Sequence, residues 1–128
     1  MTGVVRLITE EPASVSIETV EALRSGVAPE SWSEFLEDIA FGLTRDLACL
    51  ERAMQERDRA AVEAVAHRLA TAAASVGLHE LAQVSYALRD VLEQQDPVAT
   101  AALAARVLRL GGASLIALVA ADEPLGDD

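Results

Sequence analysis

Apolar residues recur along most of this chain at steps of three and four, and nowhere over a convincing length at steps of two. That is the period of one face of an α-helix rather than of a strand. From Asp58 to Leu81 the sequence reads DRAAVEAVAHRLATAAASVGLHEL, with Val62, Val65, Leu69, Ala72, Ala73 and Val76 in one stripe. Upstream, Trp32, Leu36, Ile39, Leu43, Leu47, Leu50 and Met54 keep the same rhythm. Downstream, Leu81, Val84, Ser85, Leu88, Val91 and Leu92 form a third stripe, and Leu103, Val107, Leu110, Leu115 and Leu118 a fourth. A shorter pair, Val20 and Leu23, precedes them all.

Polar residues mark where these stripes start and stop. Ser16 reads as the N-cap of a short helix from Ile17 to about Ser25, closed by Gly26. Ser31-Trp-Ser-Glu34, after Pro29, has the spacing of a capping box and opens a long helix to about Arg57. Asp58 caps the next helix, Arg59 to Val76, and Gly77 supplies its left-handed end. Another runs from His79 to about Gln94. Asp96-Pro97, a cap followed by a first-turn proline, starts the last, which continues to about Ala121. Pro12, Pro29, Pro97 and Pro124 all fall between periodic segments. Gly42 costs its helix about 1 kcal/mol relative to alanine, and close helix packing would explain it. Gly111-Gly112 predicts a weak point or kink in the last helix.

Short connections make successive helices antiparallel neighbours. The predicted fold class is therefore all-α: an antiparallel up-down-up-down four-helix bundle with a short extra N-terminal helix across one end. Residues 16–121 form the bundle. Residues 1–15 are a partly ordered extension carrying Val4, Val5, Leu7 and Ile8, and residues 122–128 a flexible tail.

Composition narrows the function. A chain of 128 residues makes one domain. Its net charge of −11 argues strongly against a nucleic-acid partner, which needs a basic footprint, and disfavours an anionic membrane. The single cysteine, Cys49, has no partner for a disulfide and reads as a buried thiol in a reducing compartment. The start, MTGVVRLITEEP, has only a short apolar run interrupted by Arg6 and is not expected to act as a signal peptide. The most apolar stretch, Gly111 to Ala121, is shorter than the roughly 20 residues a membrane span needs. The expectation is a soluble, cytoplasmic monomer without membrane association.

The chemistry centres on His67. It lies off the Val62–Leu69–Val76 stripe, on a face shared with Ala60, Glu63, Ala64, Ala70, Thr71 and Ala74. Surface helix faces normally carry long charged side chains. Here the neighbours are cut down, as if something approaches the imidazole closely. No nucleophile and orienting acid stand with it as a triad. Glu63 lies one turn before it and His79 is the only other histidine, but Ala64 occupies the position where the di-metal bundle motif needs a glutamate, so no metal is predicted. A structural histidine and one that a partner approaches both remain open on this ground.

Ala66, His67, Leu69, Ala73, Val76, Gly77 and Leu81 fit the motif Ala-His-x-Leu-Lys-Gly-x-Ala-x-x-Leu-Gly-x-x-x-Leu. In this the stretch resembles the histidine-containing phosphotransfer (HPt) domain of bacterial and plant phosphorelays, and the resemblance extends from about Ser16 to Ala121. It implies a phosphoryl carrier without autokinase activity. His67 would take the group from a receiver-domain phosphoaspartate and pass it to a second receiver. The partners implied are receiver domains of response regulators and of a hybrid sensor kinase. The chain itself would bind no cofactor; the receiver would supply Mg²⁺. A neutral imidazole is a nucleophile, and phosphoryl transfer needs cations on the equatorial oxygens.

Two departures bear on that reading. Ala70 stands where the family has lysine, and Thr71 where it has glycine. Two arginines are expected to support the phosphoryl group in its place: Arg68, adjacent in sequence but about 100° around the helix, and Arg89, the better candidate, because a residue ten to twelve past the Gly77 apex lies level with His67 on the next helix. A lysine restored at Ala70 would then supply part of the charge. Thr71 adds bulk and a hydroxyl that can donate to a phosphoryl oxygen. Glu63, Ala64, Ala70 and Ala74 are the expected receiver-docking surface. The alternative is a phosphorylation-incompetent adaptor or inhibitor that binds a receiver or kinase without carrying phosphate.

Overall fold

The computed structural model describes residues 17–122. The expectations for Ser16, for residues 1–15 and for the tail beyond 122 lie outside the described residues. Within them every element is helical: α1 (Ile17–Ser25), a 3-10 turn (Pro29–Ser31), α2 (Trp32–Gln55), α3 (Arg59–Ser75), α4 (His79–Leu92) and α5 (Pro97–Asp122). Helix α2 packs on α3, α3 on α4, α4 on α5, and α5 back on α2. That ring leaves α3 and α5 at opposite corners of a helical bundle.

The stripes fill the centre. Leu50, Leu69, Leu81, Leu88, Val65, Val107 and Leu110 are buried. Helix α1 lays Val20 and Leu23 against this core, and the Arg24 guanidinium sits 5.3 Å from the centre of the Trp32 ring. Trp32 in turn stacks on Phe35, with ring centres 5.6 Å apart. One member of the third helix's stripe is misplaced by the sequence pattern: Ala72 is exposed. Cys49 is half-buried rather than buried, and free.

Caps account for most boundaries. Asp58 accepts from the Ala61 amide at 3.1 Å, and Asp96 from the amides of Val98 and Ala99, each at 3.1 Å. Gly77 has φ 81°, and beside it the Leu78 amide donates to the Ala73 carbonyl at 2.9 Å. The capping box at Ser31 does not form. Ser31 already has helical backbone (φ −102°, ψ −1°), because the 3-10 turn from Pro29 runs straight into α2, and its side chain caps nothing. A hydroxyl caps from the extended region, which Ser31 has left. Gly26 is not left-handed, and α1 simply ends with the Gly26 amide on the Leu23 carbonyl at 3.0 Å.

Helices α2 and α4 stop about two residues short of where the pattern put them. Each is followed by a left-handed residue that is not glycine, Arg57 (φ 56°) and Gln95 (φ 55°). No glycine announces these stops, so the sequence hides them.

The glycines exchange roles. A side chain at Gly42 would meet nothing within 4 Å, so close packing does not explain it. At Gly111 a Cβ would come within 2.5 Å of Leu47 Cδ2. Close approach of α2 and α5 thus needs Gly111, and α5 continues unbroken through it. Helix α5 is also apolar well upstream of Gly111. Pro97–Ala120 is long and apolar enough by length and composition to cross a membrane. It is nonetheless a bundle helix, burying Ala104, Val107, Leu110 and Leu118 in the shared core.

Candidate functional site

His67 lies mid-way along α3 with its side chain exposed. Behind it, Val62, Val65 and Leu69 anchor the helix in the core, which fixes the direction the imidazole faces. The two flanks of α3 meet different neighbours. On one, Arg68 reaches α2, where its Nε donates to Asp46 Oδ1 at 3.3 Å. The opposite flank, with Ala66 and Ala70 both 0% exposed, is the one covered by α4. Helix α4 answers with its own small buried residues, Ala82 and Ser85. Small side chains on both surfaces let two helices approach closely.

Arg89, one turn beyond Ser85, crosses this narrow seam. Its Nη1 lies 3.1 Å from His67 Nδ1. A guanidinium has donors and no acceptor, so Arg89 donates and Nδ1 accepts. The neutral imidazole in this contact therefore carries its proton on Nε2. Both ring nitrogens are occupied, one by the arginine and one by the proton.

Glu63, Ala64, Thr71 and Ala74 are exposed on the same outward surface as His67. Two other candidates are not. Ala70 is fully buried, so it is neither a docking residue nor a place where a lysine could simply be restored. Helix periodicity puts Ala70 only about 60° from His67, but on the side that α4 covers. Arg68 is turned away to α2 and held by Asp46 rather than directed at the imidazole. The structure thus joins His67 with Arg89 and leaves Arg68 out.

Asp46 is the residue the sequence pattern missed. It is 6% exposed, with Arg45 Nε at 3.8 Å as well as Arg68. A carboxylate this buried needs cationic partners. The available signal was an acid between Leu43 and Leu47 on the stripe of α2. Ser85 is the other surprise: its buried Oγ has no hydrogen-bond partner among the described residues. His79 is exposed in the first turn of α4.

A family model for the Hpt domain matches residues 30–121, from the turn before α2 almost to the end of α5. No curated protein and no solved structure gives a match.

Proposed function

The chain belongs to the Hpt domain family, and from that premise we propose that His67 is its phosphoryl-carrying residue. Hpt domains serve histidine phosphotransfer in phosphorelays and interact with receiver domains. The finer reading is a carrier in an antiparallel up-down-up-down bundle, cytoplasmic and without autokinase activity. It works between the receiver of a hybrid sensor kinase and that of a response regulator. The observation that supports it best is the 3.1 Å contact between Arg89 and His67 on an exposed helix surface.

The chemistry follows from atoms on that surface. A ring nitrogen of His67 attacks the phosphorus of a receiver's aspartyl phosphate. The P–N bond forms as the P–O bond to the aspartate breaks, and the electron pair leaves with the carboxylate. A proton stays on the other ring nitrogen or passes to solvent. On this reading the receiver brings Mg²⁺ and most of the catalytic groups. This chain brings the nucleophile, a helix that holds it in line, and one cation.

Arg89 must move for this to happen. Attack through Nδ1 needs the lone pair that Arg89 occupies. Attack through Nε2 needs the proton transferred to Nδ1, which then can no longer accept from Arg89. Either way the guanidinium leaves the ring before the bond forms. The phosphoryl oxygens arrive beside it, and a guanidinium pairs strongly with such oxygens. Arg89 would thus exchange one partner for the other at the same place, supplying the charge that Ala70 lacks.

The buried Ala70 and the threonine at position 71 favour a second reading, an adaptor that binds a receiver without accepting phosphate. Incubation with phosphorylated receivers separates the two. The carrier acquires acid-labile, alkali-stable label, and His67→Gln acquires none. Stable binding without label on the wild type would establish the adaptor.

A further inference from the structure

At one end of the bundle the connection from α2 to α3 lies beside the connection from α4 to α5, around an open hollow of about 560 Å³. Small-molecule sites span roughly 300–1,000 Å³. The floor is apolar: Ala53, Val62 and Leu92 are buried and Met54 half-buried. The rim carries two exposed guanidiniums, Arg57 and Arg59. Arg57 has φ 56°, and Gln95, on the other connection, φ 55°. Both stand where a helix ends, at positions that glycine occupies without strain. Side chains kept against such strain gather at ligand clamps and active sites.

Among the described residues no ion pair holds the side chain of Arg57 or Arg59. Arg45 and Arg68, by contrast, are committed to Asp46. The acids closest in sequence are turned to helix ends instead. Asp58 accepts from the Ala61 amide, and Asp96, which lines the hollow, accepts from the amides of Val98 and Ala99. Arg59 and Pro97, the first residues of α3 and α5, also line it, so the positive ends of two helix dipoles add to the two guanidiniums.

We propose that this hollow binds a small amphipathic carboxylate, its apolar body on the floor and its head group held by Arg57 and Arg59. A planar guanidinium fork matches a carboxylate. A cation would meet two like charges on the rim. A small hydrated anion such as inorganic phosphate would gain nothing from the apolar floor. The net charge of −11 opposes an anion at long range, but physiological salt screens charges beyond roughly 8 Å. The site involves no phosphoryl group, so the unphosphorylated chain is the form to test.

Isothermal titration calorimetry of the full chain with decanoate, kept below the concentration at which it forms micelles, tests this. The wild type should bind one decanoate per chain saturably. The double variant Arg57→Gln, Arg59→Gln should bind about tenfold more weakly. Ala101→Glu, which puts a negative charge at an exposed position in the lining, should not bind. Both variants should keep the helical circular dichroism of the wild type. Arg52→Gln, exposed on α2 outside this hollow, should bind as the wild type does. A wild type without saturable uptake overturns the proposal, and so does a double variant that binds as tightly. Equal binding of decyltrimethylammonium, the same chain with the opposite charge, or of inorganic phosphate overturns it as well.

Discussion

Arg89→Ala removes the donor to His67 Nδ1 and the nearest cation to an incoming phosphoryl group. Hydrogen bonds to charged groups are worth about 1.5–3 kcal/mol, so phosphotransfer from a receiver should slow about ten- to a hundredfold. Helical circular dichroism should not change, because the guanidinium crosses the surface of the seam. A variant that transfers as fast as the wild type would refute the compensating role of Arg89. Ala70→Lys, in contrast, should not rescue it. Ala70 is fully buried under α4, and an ammonium there must either push the helices apart or lose its hydration. A lower melting temperature without faster transfer is the expected result, and rescue would contradict the placement of Ala70. The juxtaposition of Arg89 and His67 was legible in sequence, because a helical hairpin with a known apex fixes which residues are level. Ala70 and Arg68 were misread for a related reason. A helix wheel gives the angle between residues but not which flank a neighbouring helix will cover. Only the Asp46 ion pair and the alanine seam decide that.

At the scale of elements, the two adjacent glycines of α5 should respond with opposite signs. At Gly112 an added methyl meets nothing within 4 Å, so Gly112→Ala should stabilise the helix by up to about 1 kcal/mol. At Gly111 the methyl strikes both Leu47 Cδ atoms, at 2.5 and 2.6 Å. Overpacking of about 1–3 kcal/mol then outweighs the helix gain, and Gly111→Ala should melt lower than the wild type. Equal shifts in thermal unfolding would show that α2 and α5 do not approach as closely as described. The number, order and type of helices were readable because four long stripes repeat without ambiguity, and aspartate caps at Asp58 and Asp96 mark two starts. Left-handed Arg57 and Gln95 left no mark, so the ends of α2 and α4 were not.

For the whole molecule, the bundle acts as a rigid mount. Leu69 lies two residues from His67, is 0% exposed, and ties the active helix to the core. Leu69→Ala should destabilise the protein by about 2–5 kcal/mol in denaturant unfolding. A near-wild-type midpoint would mean that α3 faces the other way and that His67 is not on the surface. The strong acidity of the chain is visible in the sequence at once. It also makes a local cation at the docking surface valuable, since a phosphoryl group adds negative charge to a protein already at −11.

The central claim is that this chain carries a phosphoryl group on His67 from one receiver to another. A relay with two receivers tests it most directly: one labelled on its aspartate, the other unlabelled, mixed with and without the protein. The account requires label to appear on the protein in acid-labile, alkali-stable form and then on the second receiver, with both steps lost in His67→Gln. Label that reaches the protein equally well in His67→Gln, or a wild type that binds receivers and never takes up label, would contradict it.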